Sequence, residues 1–246
     1  MIDSEYKEFC CERLELFDSI FETSIAKYST EILENNDLLT LVENRVAGVD
    51  GFKRKKWDES KLWGIYRIFL YCLVRDIKPL SVLETGVLHG FSSLLILTAL
   101  RENRRGRLIS VDLPSYFESG PANDDGFIDV LPKGQVSGWV VPDYLKDYWL
   151  LELGESKVVL DQIFSQGTSP EIFIHDSEHT YQNMMSELTT AWDGQVIGSF
   201  LIADNIDVNS SFFDFAAEHG RVCYVCSADP DDNTSYPPIR FGAIRK

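Results

Sequence analysis

The sequence predicts an α/β fold: a doubly wound, mostly parallel, Rossmann-like sheet of seven strands with helices on both faces and an N-terminal helical cap. After about residue 80, short runs rich in β-branched residues alternate with helical stretches, which is typical of a parallel sheet covered on both faces. A glycine-containing turn follows the first of these strands. The first sixty residues instead repeat apolar side chains at three- and four-residue steps, the period of amphipathic helices.

The change of period predicts two units. Residues 1–60 form the helical cap, and residues 61–246 form the sheet domain. A further helix is expected to begin after an N-cap at Asp58 and to end before Pro79, because the residue before a proline disfavours helical geometry.

The pattern also places the individual elements of the sheet domain. The predicted strands span 80–85, 107–112, 148–153, 171–176, 199–204, 221–226 and 239–244. The predicted helices span 91–102, about 142–148, 156–165, 180–192 and 209–219. The connection 113–141 is long and rich in Gly, Pro and Asp, so it is either a lid or binding loop, or a disordered insertion.

Charge argues against several classes of partner. The 246 residues include 23 basic and 39 acidic ones, a formal net charge of −16, and this field repels nucleic-acid phosphates and anionic lipid. A basic run at 52–57 fits a solvated loop better than a binding patch. The longest apolar runs are about half of what a bilayer span requires, and the N-terminus lacks a secretory pattern. We therefore expect a cytoplasmic protein with neither nucleic-acid nor membrane partners.

The cysteines do not suggest a disulfide framework. They number five and stand at positions 10, 11, 72, 223 and 226, without paired spacing. Cys223 and Cys226 form a C-x-x-C, but it lies in an apolar, β-prone run with no second pair or nearby His. The sequence therefore predicts a buried strand there rather than a metal or redox site.

The first candidate binding feature is the strand–turn–helix stretch "LETGVLHGFSS" at 83–93. Gly86 and Gly90 permit close approach of a ligand to the backbone, and the helix N-terminus near Phe91 offers N–H groups. Glu84 at the strand end would favour a ligand that carries an ammonium group. His89, inside the turn, either approaches a ligand carboxylate or fills the turn.

Two further stretches follow strand ends. Asp112 in "SVDLP" ends the next strand, where a carboxylate can accept both hydroxyls of a ribose. Glu155 and Ser156 in "LELGES" open a helix, where they could hold an adenine edge. The alternative for Ser156 is a plain helix N-cap.

The third feature is a cluster of acids and imidazoles. Asp176 in "FIHDSEH" and the neighbours Asp204 and Asn205 in "LIADNID" end adjacent strands, so they predict a three-oxygen face suited to Mg²⁺. The alternative is a pair of ordinary strand-end acids. His179 could take a proton as a neutral imidazole, ligate the metal, or have no role. His175 points the opposite way from Asp176 along the strand, so we expect it to be structural.

The ordered motifs ETGVLHG, SVD, LGES, FIHDSEH and FLIADN resemble those of class I S-adenosylmethionine-dependent methyltransferases. The second half is similar to metal-dependent O-methyltransferases of the catechol O-methyltransferase type and to sugar O-methyltransferases of macrolide biosynthesis. The resemblance covers about 80–246 and no part of the first sixty residues.

The resemblance implies roles for the candidate residues. S-adenosylmethionine would be held by Glu84, Gly86 and Gly90 at its methionine end, by Asp112 at the ribose, and by Glu155 with Ser156 at the adenine. Asp176, Asp204 and Asn205 would hold Mg²⁺ or a similar cation. His179 would be the base, with Asp176 also catalytic. Because His179 stands where catechol O-methyltransferase has a lysine and some sugar enzymes have a histidine, a sugar or other vicinal diol is the expected acceptor.

Two other functions remain open at this point. One is a metal-independent methyltransferase with His179 as the sole base, and the other is a non-catalytic scaffold that keeps the cofactor fold. The expected partner is a small-molecule acceptor, over which Trp139 and the 113–141 loop would close. An apolar face on the N-terminal helices leaves a homodimer contact open.

Overall fold

A computed structural model of the chain describes residues 14–22, 25–49, 64–113, 131–228 and 239–246. The predicted N-cap at Asp58, the basic run at 52–57, the division between residues 60 and 61, and most of the 113–141 connection lie outside these residues.

The described strands form one seven-stranded sheet in the order β3-β2-β1-β4-β5-β7-β6. They are β1 (Ser81–Thr85), β2 (Arg107–Asp112), β3 (Trp149–Leu153), β4 (Ile172–His175), β5 (Phe200–Ala203), β6 (Cys223–Ala228) and β7 (Ile239–Arg245). Strands β1 to β5 pair in parallel, and β7 pairs antiparallel with both β5 and β6. The predicted fold class is confirmed, and each predicted strand is present.

Seven α-helices are present in the described part of the chain. They are α1 (Ile25–Leu33), α2 (Asn36–Ala47), α3 (Ile65–Ile77), α4 (Phe91–Asn103), α5 (Ser156–Ser165), α6 (Tyr181–Gly194) and α7 (Ser211–Glu218). Two 3₁₀ helices span Glu15–Ile20 and Asp143–Tyr148. The second occupies the helix predicted at about 142–148. This 3₁₀ helix is short because Pro142, which precedes it, is extended, and because β3 begins at the residue that follows the helix.

Two hydrophobic clusters cover the two faces of the sheet. The larger contains α3, α4 and the N-terminal helices, and the smaller contains residues of α5, α6 and α7. The N-terminal helices are tied to α3 by polar contacts as well, because Glu31 accepts hydrogen bonds from Tyr71 and, at 2.8 Å, from Arg75 Nε. The helical cap thus shares a core with the sheet.

The topology fixes where a ligand can bind. The chain moves outward from β1 to β2 and β3, then returns to β4 on the other side of β1. In register, Thr85 lies beside His175, and His175 lies beside Ala203, so the carboxyl ends of β1, β4 and β5 are level. Ligands of doubly wound sheets bind at such a reversal of strand order.

The C-x-x-C lies in a strand, as predicted. Cys226 is buried and Cys223 is half-buried, both in β6, and neither forms a disulfide with a described residue. Among the helices of the described residues, none combines the length and the apolar character needed to cross a bilayer.

Candidate functional site

A cavity of about 610 Å³ opens at the carboxyl ends of the parallel strands. It is lined by every residue predicted for the site except Glu84. The predicted residues that line it are Gly86, Gly90, Asp112, Glu155, Ser156, Asp176, His179, Asp204 and Asn205. The motifs that the sequence separates by more than a hundred residues therefore face one space.

The glycine turn, residues 86–90, depends on its two glycines. Gly86 has φ +85°, and a Cβ added there would lie 1.9 Å from the carbonyl oxygen of Asp176. Gly90 has φ +89°, and its Cβ would lie 2.7 Å from Gly138 Cα. A left-handed backbone and a close approach to another segment both exclude larger residues at these two positions.

Residues 138–140 dock on the outside of the glycine turn. Gly138 N donates to Leu88 O at 2.8 Å, and Val140 N donates to His89 O at 3.2 Å. Trp139 Nε1 donates to His89 Nδ1 at 3.0 Å. Trp139 is buried in the hydrophobic core and does not line the cavity. The prediction placed Trp139 over the acceptor. The structure instead places the indole away from the cavity, where it is hydrogen-bonded to His89.

His89 lines the cavity in a defined protonation state. Burial, together with the positive charge of Arg67, lowers the pKa of His89 to about 4, so the ring is neutral near neutral pH. An indole N–H can only donate, so Nδ1 must accept the bond from Trp139. The proton of the neutral ring is then on Nε2, which makes that atom a donor.

Glu84 is the predicted residue that the structure places elsewhere. It is buried at 1% exposure, and its Oε1 accepts hydrogen bonds from Ser93 and, at 2.6 Å, from Ser110. Burial raises the pKa of Glu84 to about 7. The side chain points into the α4 face of the sheet rather than into the cavity, so this placement does not support direct contact with an ammonium group.

The residues predicted for ribose and adenine line the cavity next to one another. Asp112 Oδ2 accepts a hydrogen bond from Leu88 N at 3.0 Å, which joins the end of β2 to the glycine turn. Glu155 is the N-cap of α5, so Ser156 is the first helical residue and not the cap. The Ser156 hydroxyl instead lies close enough to the carboxylate of Glu187 to help lower its pKa.

Asp176, His179, Asp204 and Asn205 form what we call the acid end of the cavity. His179 Nε2 lies 4.0 Å from Asp176 Oδ1 and 3.4 Å from Asn205 Nδ2. Burial raises the pKa of Asp204 to about 6, although the Asn205 backbone, Arg67 and the nearby Asp176 act to lower it. Asn205 has φ +48°, a geometry that asparagine tolerates better than most residues.

The acid end offers oxygen atoms to a cation but not a complete set of ligands. Asp204 Oδ1 is buried and has no hydrogen-bond partner among the described residues, a situation that a bound cation would relieve. However, the described part of the chain contains no group of three or more His, Cys, Asp or Glu side chains arranged to hold a metal. Two carboxylates and the Asn205 amide oxygen fit Mg²⁺, which usually keeps several waters.

The sequence did not reveal two parts of this site. Arg67 of α3 lines the cavity beside the glycine turn, far before the motifs in the chain. Glu187 of α6 lies beneath the acid end and is 1% exposed. An acid in the middle of an amphipathic helix is ordinarily solvent-exposed, so only an inward position in the helical period could have drawn attention to Glu187.

Comparisons with known proteins agree with the fold. Residues 83–206 match a family model described as a methyltransferase domain. This span runs from the end of β1 to the acid end and covers just over half of the chain. A search of curated proteins found no match.

Three solved structures illustrate the likeness. An O-methyltransferase from Bacillus cereus in complex with SAH is 16% identical with a TM-score of 0.57, over 91% of this chain and 98% of that one. TomG, an O-methyltransferase of tomaymycin synthesis from Streptomyces achromogenes in complex with SAM, is 16% identical with a TM-score of 0.51, over 87% and 99%. The calicheamicin methyltransferase CalS11 is 17% identical with a TM-score of 0.50, over 100% and 94%. At these identities the likeness concerns the fold.

The sheet order and the position of the cavity define the class of protein, a Rossmann-like methyltransferase. The chain belongs to the family of methyltransferase domains whose model it matches from residue 83 to residue 206. The resemblance to class I S-adenosylmethionine-dependent methyltransferases, inferred from the motifs, is thereby confirmed.

Proposed function

We propose that the chain transfers a methyl group from S-adenosylmethionine to a hydroxyl of a small acceptor, a sugar or other vicinal diol, with the help of Mg²⁺ or a similar divalent cation. The observation that carries this proposal is the shared cavity. It brings the glycine turn, Asp112 and Glu155 to the same space as the acid end.

The cofactor would lie along the glycine turn. Asp112 would accept the ribose hydroxyls, and Glu155 with Ser156 would border the adenine, since all three line the cavity. The N-terminus of α4 begins after Gly90 and offers backbone N–H groups to a carboxylate. When bound, S-adenosylmethionine supplies the electrophilic methyl group. Two of the structures similar in fold are complexes with SAH and with SAM, which supports this assignment.

The cation would be held by Asp176, Asp204 and Asn205. When bound, it would lower the pKa of an acceptor hydroxyl that it contacts. Because Asp204 Oδ1 has no hydrogen-bond partner among the described residues, a positive charge at this point would satisfy a buried acceptor atom.

His179 would take the proton from the acceptor hydroxyl. It is 6% exposed and lines the cavity, so its ring is shielded from bulk water but open to a ligand. Asp176 Oδ1 at 4.0 Å would stabilise the imidazolium that forms. The remaining acceleration would come from holding the hydroxyl oxygen in line with the methyl group, since positioning is the main contribution such a site can make.

Isothermal titration of the chain with S-adenosylhomocysteine, S-adenosylmethionine and NAD⁺ tests the cofactor assignment. We expect both sulfur ligands to bind and NAD⁺ not to bind. Binding of NAD⁺ in place of the sulfur ligands would overturn the proposal.

Asp204→Ala tests the metal. We expect the divalent-ion stimulation of methyl transfer to fall by on the order of a hundredfold, since a cation can supply several kcal/mol of charge stabilisation. S-adenosylhomocysteine release is measured over a panel of catechols and sugars, with and without chelator. Asp207→Ala, an exposed acid three residues further on, is the matched control. An unchanged metal response in Asp204→Ala would place the ion elsewhere.

The metal-independent enzyme remains the second candidate. It is favoured by the lack of a three-member acid or imidazole group in the described residues. Full activity in excess chelator, together with loss of activity in His179→Ala, would select it. A non-catalytic scaffold would bind S-adenosylhomocysteine but release none from S-adenosylmethionine with any acceptor.

A further inference from the structure

We propose that Glu187 is the positioning residue of the acid end: its buried carboxylate fixes residues 176–183, which carry Asp176 and His179, against the ends of β1 and β4. The inference rests on the proposed function for its catalytic meaning. Glu187 does not line the cavity, so any effect it has on the reaction is exerted through other residues.

One carboxylate oxygen of Glu187 contacts residues of the sheet. Oε2 accepts a hydrogen bond from Thr85 Oγ1 at 2.5 Å and lies 2.7 Å from His175 Nδ1. Thr85 ends β1 and His175 ends β4, and the two residues are paired in register. The carboxylate therefore bridges the two strands at the point where the strand order reverses.

The other carboxylate oxygen of Glu187 accepts hydrogen bonds from the segment that follows β4. Oε1 accepts hydrogen bonds from Ser177 Oγ at 2.8 Å and from Asn183 Nδ2 at 3.1 Å. Asn183 also donates to Glu178 O at 2.9 Å and to Ser177 Oγ at 3.1 Å. The turn between β4 and α6 is thus closed around Asn183, with His179 inside it.

A third connection reaches the cofactor side of the cavity. The Ser156 hydroxyl at the start of α5 lies close enough to the Glu187 carboxylate to help lower its pKa. Ser156 lines the cavity where the adenine would lie. One carboxylate therefore lies between the proposed adenine border and the turn that carries the proposed base.

Glu187 can hold these donors because it is ionised. Burial acts to raise its pKa, but the charge of His175 and the hydrogen bonds lower it to about 2. An ionised carboxylate only accepts, so His175 Nδ1 must carry a proton. Hydrogen bonds to charged acceptors are the stronger ones, about 1.5–3 kcal/mol each.

The hydrogen bond between Glu187 and His175 also orients the ring that packs against the proposed base, His179. The His175 ring is buried and meets the His179 ring edge-on, with centroids 5.3 Å apart. Glu187 fixes the His175 ring, and this ring packs against His179. The carboxylate therefore restrains the proposed base in two ways, through the His175 ring and through the turn that carries His179. Placement errors of about 1 Å can cost a hundredfold in rate.

Hydrogen exchange of Glu187→Gln tests the proposal on the unliganded chain. We expect amide exchange in residues 176–183 to rise by about tenfold or more, since at least one charge-assisted bond is lost. Leu188→Ala is the matched control, because Leu188 is buried on the same helix and none of the hydrogen bonds of this segment involves its side chain. Exchange is compared under conditions where both variants have the same free energy of unfolding.

A second readout distinguishes positioning from general destabilisation. In ¹⁵N-resolved proton spectra, the Nδ1 proton of His175 should be protected in the wild-type chain and in Leu188→Ala, and exchange-broadened in Glu187→Gln. Glu187→Asp, which keeps the charge, should restore part of the protection. If Glu187→Gln does not fold, Ser177→Ala and Asn183→Ala each remove one donor, and the same local rise in exchange is expected.

Equal exchange of 176–183 in Glu187→Gln and in Leu188→Ala would overturn the positioning role. Failure of the wild-type chain to bind S-adenosylhomocysteine would instead overturn the proposed function, because the exchange and proton spectra are recorded without ligand.

Discussion

Two buried glutamates lie under the two halves of the cavity, and their charge states differ. Glu84 lies on the α4 face, beneath the glycine turn, and Glu187 lies on the α6 face, beneath the acid end. Each is 1% exposed. Nevertheless the pKa of Glu84 is raised to about 7, and that of Glu187 is lowered to about 2.

The difference teaches that burial alone does not decide the charge of an acid. Glu84 accepts two serine hydroxyls, and the negative charge of Asp112 raises its pKa further. Glu187 has hydrogen bonds from several donors and faces the imidazole of His175. Near pH 7 the carboxyl group of Glu84 is therefore about half protonated, whereas the carboxyl group of Glu187 is ionised.

The largest expected effect comes from Gly86→Ala, at the point where the two halves meet. The new Cβ would overlap the Asp176 carbonyl at 1.9 Å, and φ is +85°. We expect a loss of about 4 kcal/mol in the free energy of unfolding, which combines overpacking with a left-handed backbone. Urea denaturation measures it.

The control is Gly167→Ala, which has φ +83° but open space around the added Cβ. It should cost only the backbone contribution, about 1–2 kcal/mol. Equal losses in the two variants would show that the glycine turn and the acid end are not in close contact.

Glu187→Gln should have the next largest effect, and the effect should depend on pH. Because the pKa is about 2 in the folded chain and 4.5 otherwise, the carboxylate contributes stability above pH 4.5 that is lost as the pH falls towards 2. At pH 7 we expect a loss of about 3 kcal/mol. Unfolding curves of wild type and variant between pH 7 and 3 should converge on acidification, and a constant difference would contradict the assignment.

Glu84→Gln should have the smallest effect of the three, with the opposite sign. A folded pKa of about 7 means that the folded chain binds the extra proton, so stability falls as the pH rises from 4.5 to 7. The neutral amide oxygen can accept the same serine hydroxyls without this cost. We expect the variant to be more stable than wild type by about 2 kcal/mol at pH 8 and similar below pH 4.5. Thermal unfolding at both pH values checks this, and a destabilised variant at pH 8 would refute it.

Much of the fold was predictable because local patterns encode it. The strand at 107–112 and the helix at 156–165 have the predicted bounds, since β-branched runs and an amphipathic period mark them directly. The strand predicted at 221–226 is instead β6 at Cys223–Ala228. Its start is displaced because its pairing with β7, which begins at Ile239, fixes its register and leaves Arg221 and Val222 outside the ladder.

The candidate site was predictable where residues follow strand ends. Asp112, Asp176 and Asp204 line the cavity because the carboxyl ends of parallel strands share one edge. Glu84 and Trp139 do not line the cavity, and the reason is shared: each has a polar partner elsewhere in the chain, Ser110 and His89 respectively. Such pairings are not visible in a local pattern.

The sequence by itself determined the alternation of strands and helices, the glycine turn, and the acids at the strand tips, because these follow from backbone geometry and the two periods of apolar residues. Only the tertiary structure decided that Glu187 gathers donors from β1, β4 and the turn that follows β4, and that Arg67 reaches the cavity. The physical reason is that the charge of a buried acid depends on which distant donors the packed chain brings to it.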